Sequence, residues 1–105
     1  MNFDYVKVEV LIPEEYIKKL RNELNEAGFL TVGLYDHVLS FSPVRGFWRP
    51  LEGAKPFAGS IGEISTGSEC KVEFRCLFNQ LKEVKAIIRS IHPYEHPIIN
   101  AIPLL

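Results

Sequence analysis

Two stretches of alternating polarity constrain the fold of this 105-residue chain more than any other feature. Val6–Ile12, "VKVEVLI", places apolar side chains at every second position with Lys7 and Glu9 between them. Cys70–Cys76, "CKVEFRC", alternates in the same way. A period of two is typical of a strand with one buried and one solvated face. Both stretches therefore predict strands of a sheet that is covered on one side.

A first helix is predicted directly after the first strand. Pro13 suits the first helical position, and Glu14 and Glu15 favour the positive first turn. Gly28 provides the stop signal. The predicted buried stripe consists of Ile17, Leu20, Leu24 and Ala27.

A second helix is predicted after the cysteine-bearing strand. Asn79 is a plausible N-cap, and the helix should end at Ile91 or His92 because Pro93 disfavours helical backbone in the residue before it. Its buried stripe is Leu81, Val84, Ile88 and Ile91.

Two further strands complete the pattern, one from about Leu30 to Phe41 and one from Ile98 to Leu104. Pro103 would confine part of the last strand to a sheet edge. The resulting order, strand-helix-strand-strand-helix-strand, predicts a ferredoxin-like α+β sandwich with both helices on one face of a single sheet.

The segment from Pro43 to Gly62 is rich in glycine and proline, yet it also carries Phe47, Trp48 and Phe57. A flexible linker would not contain these aromatic residues. We therefore expect an ordered excursion that extends or covers the sheet, with a short strand around Phe47 and Trp48.

The composition indicates one ordinary globular domain, spanning 1–105. The chain has 47% hydrophobic and 24% charged residues and a net charge of -1, which argues against a general nucleic-acid binder. Its first residues do not form a signal peptide, and no apolar run is long enough to cross a membrane, so we expect a cytoplasmic protein. Cys70 and Cys76 lie too far apart along one strand to pair with each other and are expected in the core.

Two motifs carry a family resemblance. "GLYDHVLSFSPVRGFWRPLEGAKPFAG" (Gly33 to Gly59) and "HPYEHP" (His92 to Pro97), in this order, resemble the domain inserted in the NGG-interacting-factor-like, YqfO-type dinuclear metal proteins. That domain also occurs as stand-alone small proteins. His96 departs from the family motif, which has a second Glu at this position.

The resemblance implies a PII-like or CutA-like ferredoxin fold, a group that commonly forms trimers. It does not imply a hydrolase, because the family's paired metals lie in a flanking domain that has no counterpart in these 105 residues. We therefore expect a homo-oligomer, with a trimer favoured.

The "HPYEHP" motif allows a metal site or a purely structural role. His92, Glu95, His96 and also His37 are candidate ligands of a divalent ion such as zinc or copper. In the structural alternative, the prolines stiffen a connection, Tyr94 packs against the fold, and Glu95 accepts backbone hydrogen bonds.

A second group of candidate residues binds a ligand in one interpretation and packs in another. Tyr35, Asp36 and Tyr94 are candidates for ligand binding, and Arg45 and Arg49 are candidates for contacting an anion. In the alternative, His37 is a hydrogen-bonded histidine at the edge of the core and Asp36 interacts with a backbone turn or with one of the two arginines.

No G-x-S-x-G, C-x-x-C or H-E-x-x-H motif specifies a reaction. The sequence therefore predicts a binding or regulatory module that recognises a metal ion or a small anion, with the site in clefts between subunits. The alternatives are a domain that caps a dinuclear-metal partner protein and, less favoured, an uncharacterised enzyme.

Overall fold

The computed structural model describes residues 2–105. Its strands and helices follow in the order β1 (Tyr5–Ile12), α1 (Ile17–Glu26), β2 (Ser40–Trp48), β3 (Ser65–Leu77), α2 (Leu81–Ile91) and β4 (Ile99–Leu104). Short 3-10 helices at Glu14–Tyr16 and Phe78–Gln80 lead directly into α1 and α2. In the part of the chain that is described, no helix has the length and apolar character needed to span a membrane.

The strands form one antiparallel sheet in the order β2-β3-β1-β4. Val8 in the central strand β1 lies opposite Phe74 of β3 on one side and Ala101 of β4 on the other. This topology confirms the predicted ferredoxin-like α+β fold. It also leaves β2 and β4 as the two edge strands, the positions in a sheet that tolerate prolines such as Pro43 and Pro103.

The core lies between the helices and one face of the sheet. Cys70 and Cys76 are free and only 4% and 3% exposed, as predicted for core residues, and burial raises the pKa of both thiols. The side chains that are fully buried come from β1, β3, both helices and the segment after α1: Ile12, Leu20, Leu24, Leu30, Ile88, Val6, Val8, Val10, Val72 and Val84.

The opposite face of the sheet is polar at its centre. The Lys7 ammonium lies 3.1 Å from a Glu9 carboxylate oxygen and 3.8 Å from one of Glu73, and Lys71 lies 3.2 Å from the same Glu73 oxygen. Hydrogen bonding to Glu9 and the charge of Glu73 raise the pKa of Lys7. Alternation along β1 and β3 thus separates an apolar face from a charged one.

Two details of the predicted helices are wrong. Ala27 is exposed because α1 ends at Glu26 and the chain turns away at Gly28, whose φ is +87°. Asn79 lies within a 3-10 helix and does not cap α2; instead, the backbone N–H of Leu77 donates to Oε1 of Gln80 at 3.0 Å. The predicted end of α2 at Ile91 is confirmed.

The prediction for the second strand is also wrong, since β2 begins near the predicted end and runs to Trp48. Residues 31–39 form a turn-rich loop in which Gly33 and His37 have φ of +58° and +55°. Positive φ does not fit a strand. The strand predicted from Leu30 is therefore not formed over residues 31–39, and the short strand expected around Phe47 and Trp48 is the end of β2.

Beyond the end of β1, the strands β2 and β3 continue as a two-stranded ribbon, here called the arm (residues 44–48 and 65–69). The segment that joins them, here called the strap (residues 49–64), folds back toward the body of the domain, so the predicted ordered excursion is confirmed. The arm makes the molecule long, with extents of 47 × 31 × 21 Å. The radius of gyration of 15.0 Å exceeds the roughly 13 Å typical of a compact domain of this size.

Candidate functional site

His92 is the buried centre of the "HPYEHP" turn. It follows α2 directly and is 8% exposed. Its Nε2–H donates to the backbone carbonyl of Leu11 at 2.6 Å, and its Nδ1 accepts the backbone N–H of Tyr94 at 3.2 Å. Burial lowers the pKa of His92, although the Leu11 carbonyl and the charge of Glu69 oppose this effect. His92 is therefore held as a neutral imidazole with both nitrogens occupied.

Tyr94 links this turn to β3. Its hydroxyl donates to Oε2 of Glu69 at 2.9 Å, and its ring centroid lies 4.6 Å from that of His92. Burial and the hydrogen bond to Glu69 raise the pKa of Tyr94 to about 12. The phenol consequently stays protonated and serves as a hydrogen-bond donor throughout the physiological range.

The strap packs on the turn through one aromatic side chain and one hydrogen bond. The centroid of the Phe57 ring lies 5.8 Å from the ring centroid of Tyr94 and 6.3 Å from that of Tyr16. The backbone N–H of Lys55 donates to Oε1 of Glu95 at 2.9 Å. Glu95 thus makes the kind of backbone contact that the structural alternative expects.

The strap is also attached to the arm at Trp48. The indole Nε1–H donates to the carbonyl of Ala58 at 3.0 Å. The next residue, Gly59, has φ +95°, and a Cβ there would lie 2.7 Å from Oγ of Ser65 and 2.9 Å from the indole nitrogen. Only glycine fits this backbone conformation and this close approach.

The loop after α1 carries an exposed acid and imidazole in contact. Asp36 Oδ1 lies 2.9 Å from Nδ1 of His37, and this hydrogen bond lowers the pKa of Asp36. The backbone N–H of His37 donates to Oδ1 of Asn25 at 2.7 Å, which holds the loop against α1. Tyr35, beside them, is 76% exposed. The packing alternative expects His37 at the edge of the core, but His37 is instead at the surface.

The candidate metal ligands do not come together within one chain. Among residues 2–105, no group of three or more His, Cys, Asp or Glu side chains could hold a metal ion. Glu95 and His96 are exposed in the turn, and His92 is committed to hydrogen bonds. Of the remaining candidates, Arg45 and Arg49 are exposed, and over the same residues no ion pair joins either of them to Asp36.

A groove of about 210 Å³ lies elsewhere, between the loop after α1 and the part of β3 that continues past the start of β2. It is lined mainly by apolar side chains, including Leu30, Val38 and Phe74. Its volume is below the roughly 300–1,000 Å³ of ordinary small-molecule sites. None of the candidate ligand or metal residues lines it.

The sequence did not identify Tyr16, Phe57 or Glu69 as partners of the turn. Phe57 was a signal that the strap is ordered, but no periodicity indicates which surface it contacts. Glu69 has the pattern of a solvated strand residue. Their contacts depend on how the strap folds back.

Comparison with known proteins supports the relationship suggested by the motifs. A family model described as CutA1 divalent ion tolerance protein matches residues 60–105, which include β3, α2 and β4. A GTP cyclohydrolase 1 type 2 homolog of Staphylococcus epidermidis is 34% identical over 100 residues, covering 95% of this chain and 27% of that protein.

Two solved structures show the same fold. A Bacillus cereus protein related to NIF3 superposes with a TM-score of 0.82 at 25% identity, over 97% of this chain and 26% of that one. The periplasmic divalent cation tolerance protein CutA from Archaeoglobus fulgidus superposes with a TM-score of 0.72 at 18% identity, over 95% of this chain and 83% of that one. The chain therefore has a CutA-like fold and is similar in sequence to one portion of NIF3-type relatives.

The relationship concerns one portion of the larger relatives. This chain spans about a quarter of the length of the curated relatives it matches, with 27% and 26% coverage in two of them. In contrast, it covers 83% of the CutA chain from Archaeoglobus fulgidus.

Proposed function

We propose that this CutA-like domain, taken as a single domain over residues 1–105, is an assembly and binding module that works as a homo-oligomer. The observation that carries the proposal is the arm. The arm projects from the sheet, and neither β2 nor the first five residues of β3 contain a buried side chain. A two-stranded ribbon without a buried face is at best marginally stable in water.

Apolar side chains on and near the arm support burial against another molecule. Phe47 is 80% exposed and Ile64 is 74% exposed, and Phe41 at the start of β2 is 53% exposed. Exposed aromatic side chains of this kind are enriched in protein interfaces. We therefore assign the arm to contacts between copies of the chain.

The free sheet edges support one arrangement of the copies. β2 and β4 are different strands at opposite edges, so pairing β2 of one copy with β4 of the next is a head-to-tail contact. Contacts of this type form a closed ring when the rotation between successive copies closes. We propose a ring of three copies, the number that the likeness to CutA proteins favours.

Sedimentation of the purified protein over a range of concentrations tests this assembly. We expect a mass three times the 12.0 kDa of one chain, because covering the arm requires a partner. Addition of moderate salt should leave the mass unchanged, since the proposed contacts are apolar. A monodisperse species of 12.0 kDa at high concentration would exclude the assembly.

A second candidate function is recognition of a divalent metal ion or small anion between subunits. It is favoured by the exposed contact between Asp36 and His37 and by the divalent ion tolerance description of the matching family model. Glu95 and His96 remain exposed in the turn, and Tyr35, Arg45 and Arg49 are available as further contacts. A neighbouring subunit would complete the ligand set.

Titration with zinc, monitored by calorimetry and by thermal unfolding, tests the metal site. We expect saturable binding that is lost in His37→Ala, because this substitution removes the imidazole from the pair with Asp36. A Lys82→Ala variant, altered at an exposed position on α2, provides the control. Equal zinc binding by His37→Ala would remove the residue from the site, and no saturable binding by the native chain would exclude zinc.

Attachment to a larger dinuclear-metal protein is the remaining alternative. It is supported by relatives in which a region similar to this chain makes up about a quarter of the length.

The cytoplasm is the compartment we propose, and the two unpaired cysteines are compatible with its reducing conditions.

A further inference from the structure

The strap is fixed to the body of the domain by contacts that converge on the turn around His92. Phe57 packs between Tyr16 and Tyr94, and the backbone N–H of Lys55 donates to Glu95. Both Tyr94 and Glu95 belong to the turn. The position of the strap therefore depends on the conformation of the turn.

The conformation of this turn depends on the protonation state of the His92 imidazole. Nδ1 of His92 accepts the backbone N–H of Tyr94, while Nε2–H donates to the carbonyl of Leu11. An imidazolium has N–H groups on both nitrogens and no acceptor. Protonation would therefore replace the first hydrogen bond with two N–H groups that face each other, while the bond to Leu11 could remain.

We propose that His92 is a pH-sensitive latch, which holds the strap on the turn when neutral and releases it when protonated. Release of the strap would separate Phe57 from Tyr94 and Lys55 from Glu95. Because Trp48 is joined to Ala58, the change would also reach the arm.

The charged groups around His92 determine whether its neutral or its protonated form is favoured. Glu69 on β3 favours the imidazolium form of His92. Tyr94 in the turn is held protonated by burial and by its hydrogen bond to Glu69, so it adds no charge. The 3-10 helix before α1 supplies Glu15, whose charge acts on Tyr94. β1 presents only a backbone carbonyl, that of Leu11.

The direction of the pH effect follows from burial. Burial lowers the pKa of His92 from its ordinary value of 6.5, whereas the released turn restores water to the ring. The contribution of the latch is thus complete above pH 6.5 and is lost as the pH falls through the lower folded-state pKa. The strap should open while the remainder of the sheet stays folded.

Two signals from the native protein report on the strap. Trp48 is the single tryptophan, so its fluorescence follows the indole contact with Ala58. Hydrogen exchange of the Lys55 amide, corrected for the intrinsic pH dependence of exchange, follows the bond to Glu95. Between about pH 8 and 5, we expect protection of this amide to fall about 5- to 30-fold, the factor that corresponds to the loss of one or two kcal/mol. Far-ultraviolet circular dichroism should change little.

Substitution of each histidine identifies the responsible group. The chain has three histidines, and His37→Gln and His96→Gln should keep the transition because both side chains are exposed. His92→Gln should abolish the pH dependence, since glutamine does not titrate. A transition that persists in His92→Gln with an unchanged midpoint would overturn the proposal.

Imidazole nitrogen chemical shifts of the native protein provide a test that needs no substitution. At neutral pH, we expect His92 as the tautomer protonated on Nε2, and its titration should share a midpoint with the Trp48 signal. A different tautomer, or a His92 titration that leaves the Lys55 and Trp48 signals unchanged, would equally contradict the latch.

Discussion

Phe47→Glu should dissociate the proposed homo-oligomer into monomers while leaving the fold of each chain intact. Phe47 is 80% exposed on the arm, so the substitution removes little packing within one chain. Burial of a phenylalanine at an interface contributes about 1.5–3 kcal/mol, which corresponds to a factor of roughly 10 to 100 in each dissociation constant. The added carboxylate weakens association further because its burial without a partner is costly.

Sedimentation and circular dichroism of this variant separate assembly from folding. Phe78→Glu is the matched control, since Phe78 is 55% exposed but lies in the 3-10 helix before α2, where its ring contacts Phe3. We expect the control to keep the native mass. If Phe47→Glu keeps the native mass as well, the arm is not part of the interface.

Leu20→Ala should lower the free energy of unfolding by about 2–5 kcal/mol. Leu20 is fully buried on α1, where it faces the apolar side of the sheet, so truncation leaves a cavity. A loss of this size is a large fraction of the stability of a small domain. Urea unfolding at fixed protein concentration measures it, because an oligomer adds a concentration-dependent contribution.

Leu51→Ala provides the comparison for the core substitution. Leu51 is 61% exposed in the strap, and its truncation should change the unfolding free energy by no more than about 0.5 kcal/mol. Similar losses in the two variants would contradict the assignment of the core to the layer between α1 and the sheet.

The local pattern of the sequence was sufficient to predict those strands and helices that have a single buried face. Alternation over Val6–Ile12 and Cys70–Cys76 predicted β1 and β3, and the helical stripes predicted α1 and α2. Pro93 correctly predicted the end of α2, because proline restricts the residue before it. These are short-range effects that act through the backbone of neighbouring residues.

The second strand could not be placed in this way. The apolar residues between Leu30 and Phe41 resemble an alternating strand, yet positive φ at Gly33 and His37 turns the chain. The turn is held by Asn25, a residue of α1, through its bond to the His37 N–H. β2 itself contains no buried residue, so its position is determined by its ladder with β3 and not by a hydrophobic pattern.

The candidate site shows the same division. The sequence alone predicted the fold class and the end of α2 before Pro93, while it left the role of "HPYEHP" open. Only the tertiary structure placed His92 against Leu11, which lies 81 residues away, and Lys55 against Glu95, which lies 40 residues away. Hydrogen bonds between such distant residues leave no periodic signal, because they depend on the packing that brings the segments together.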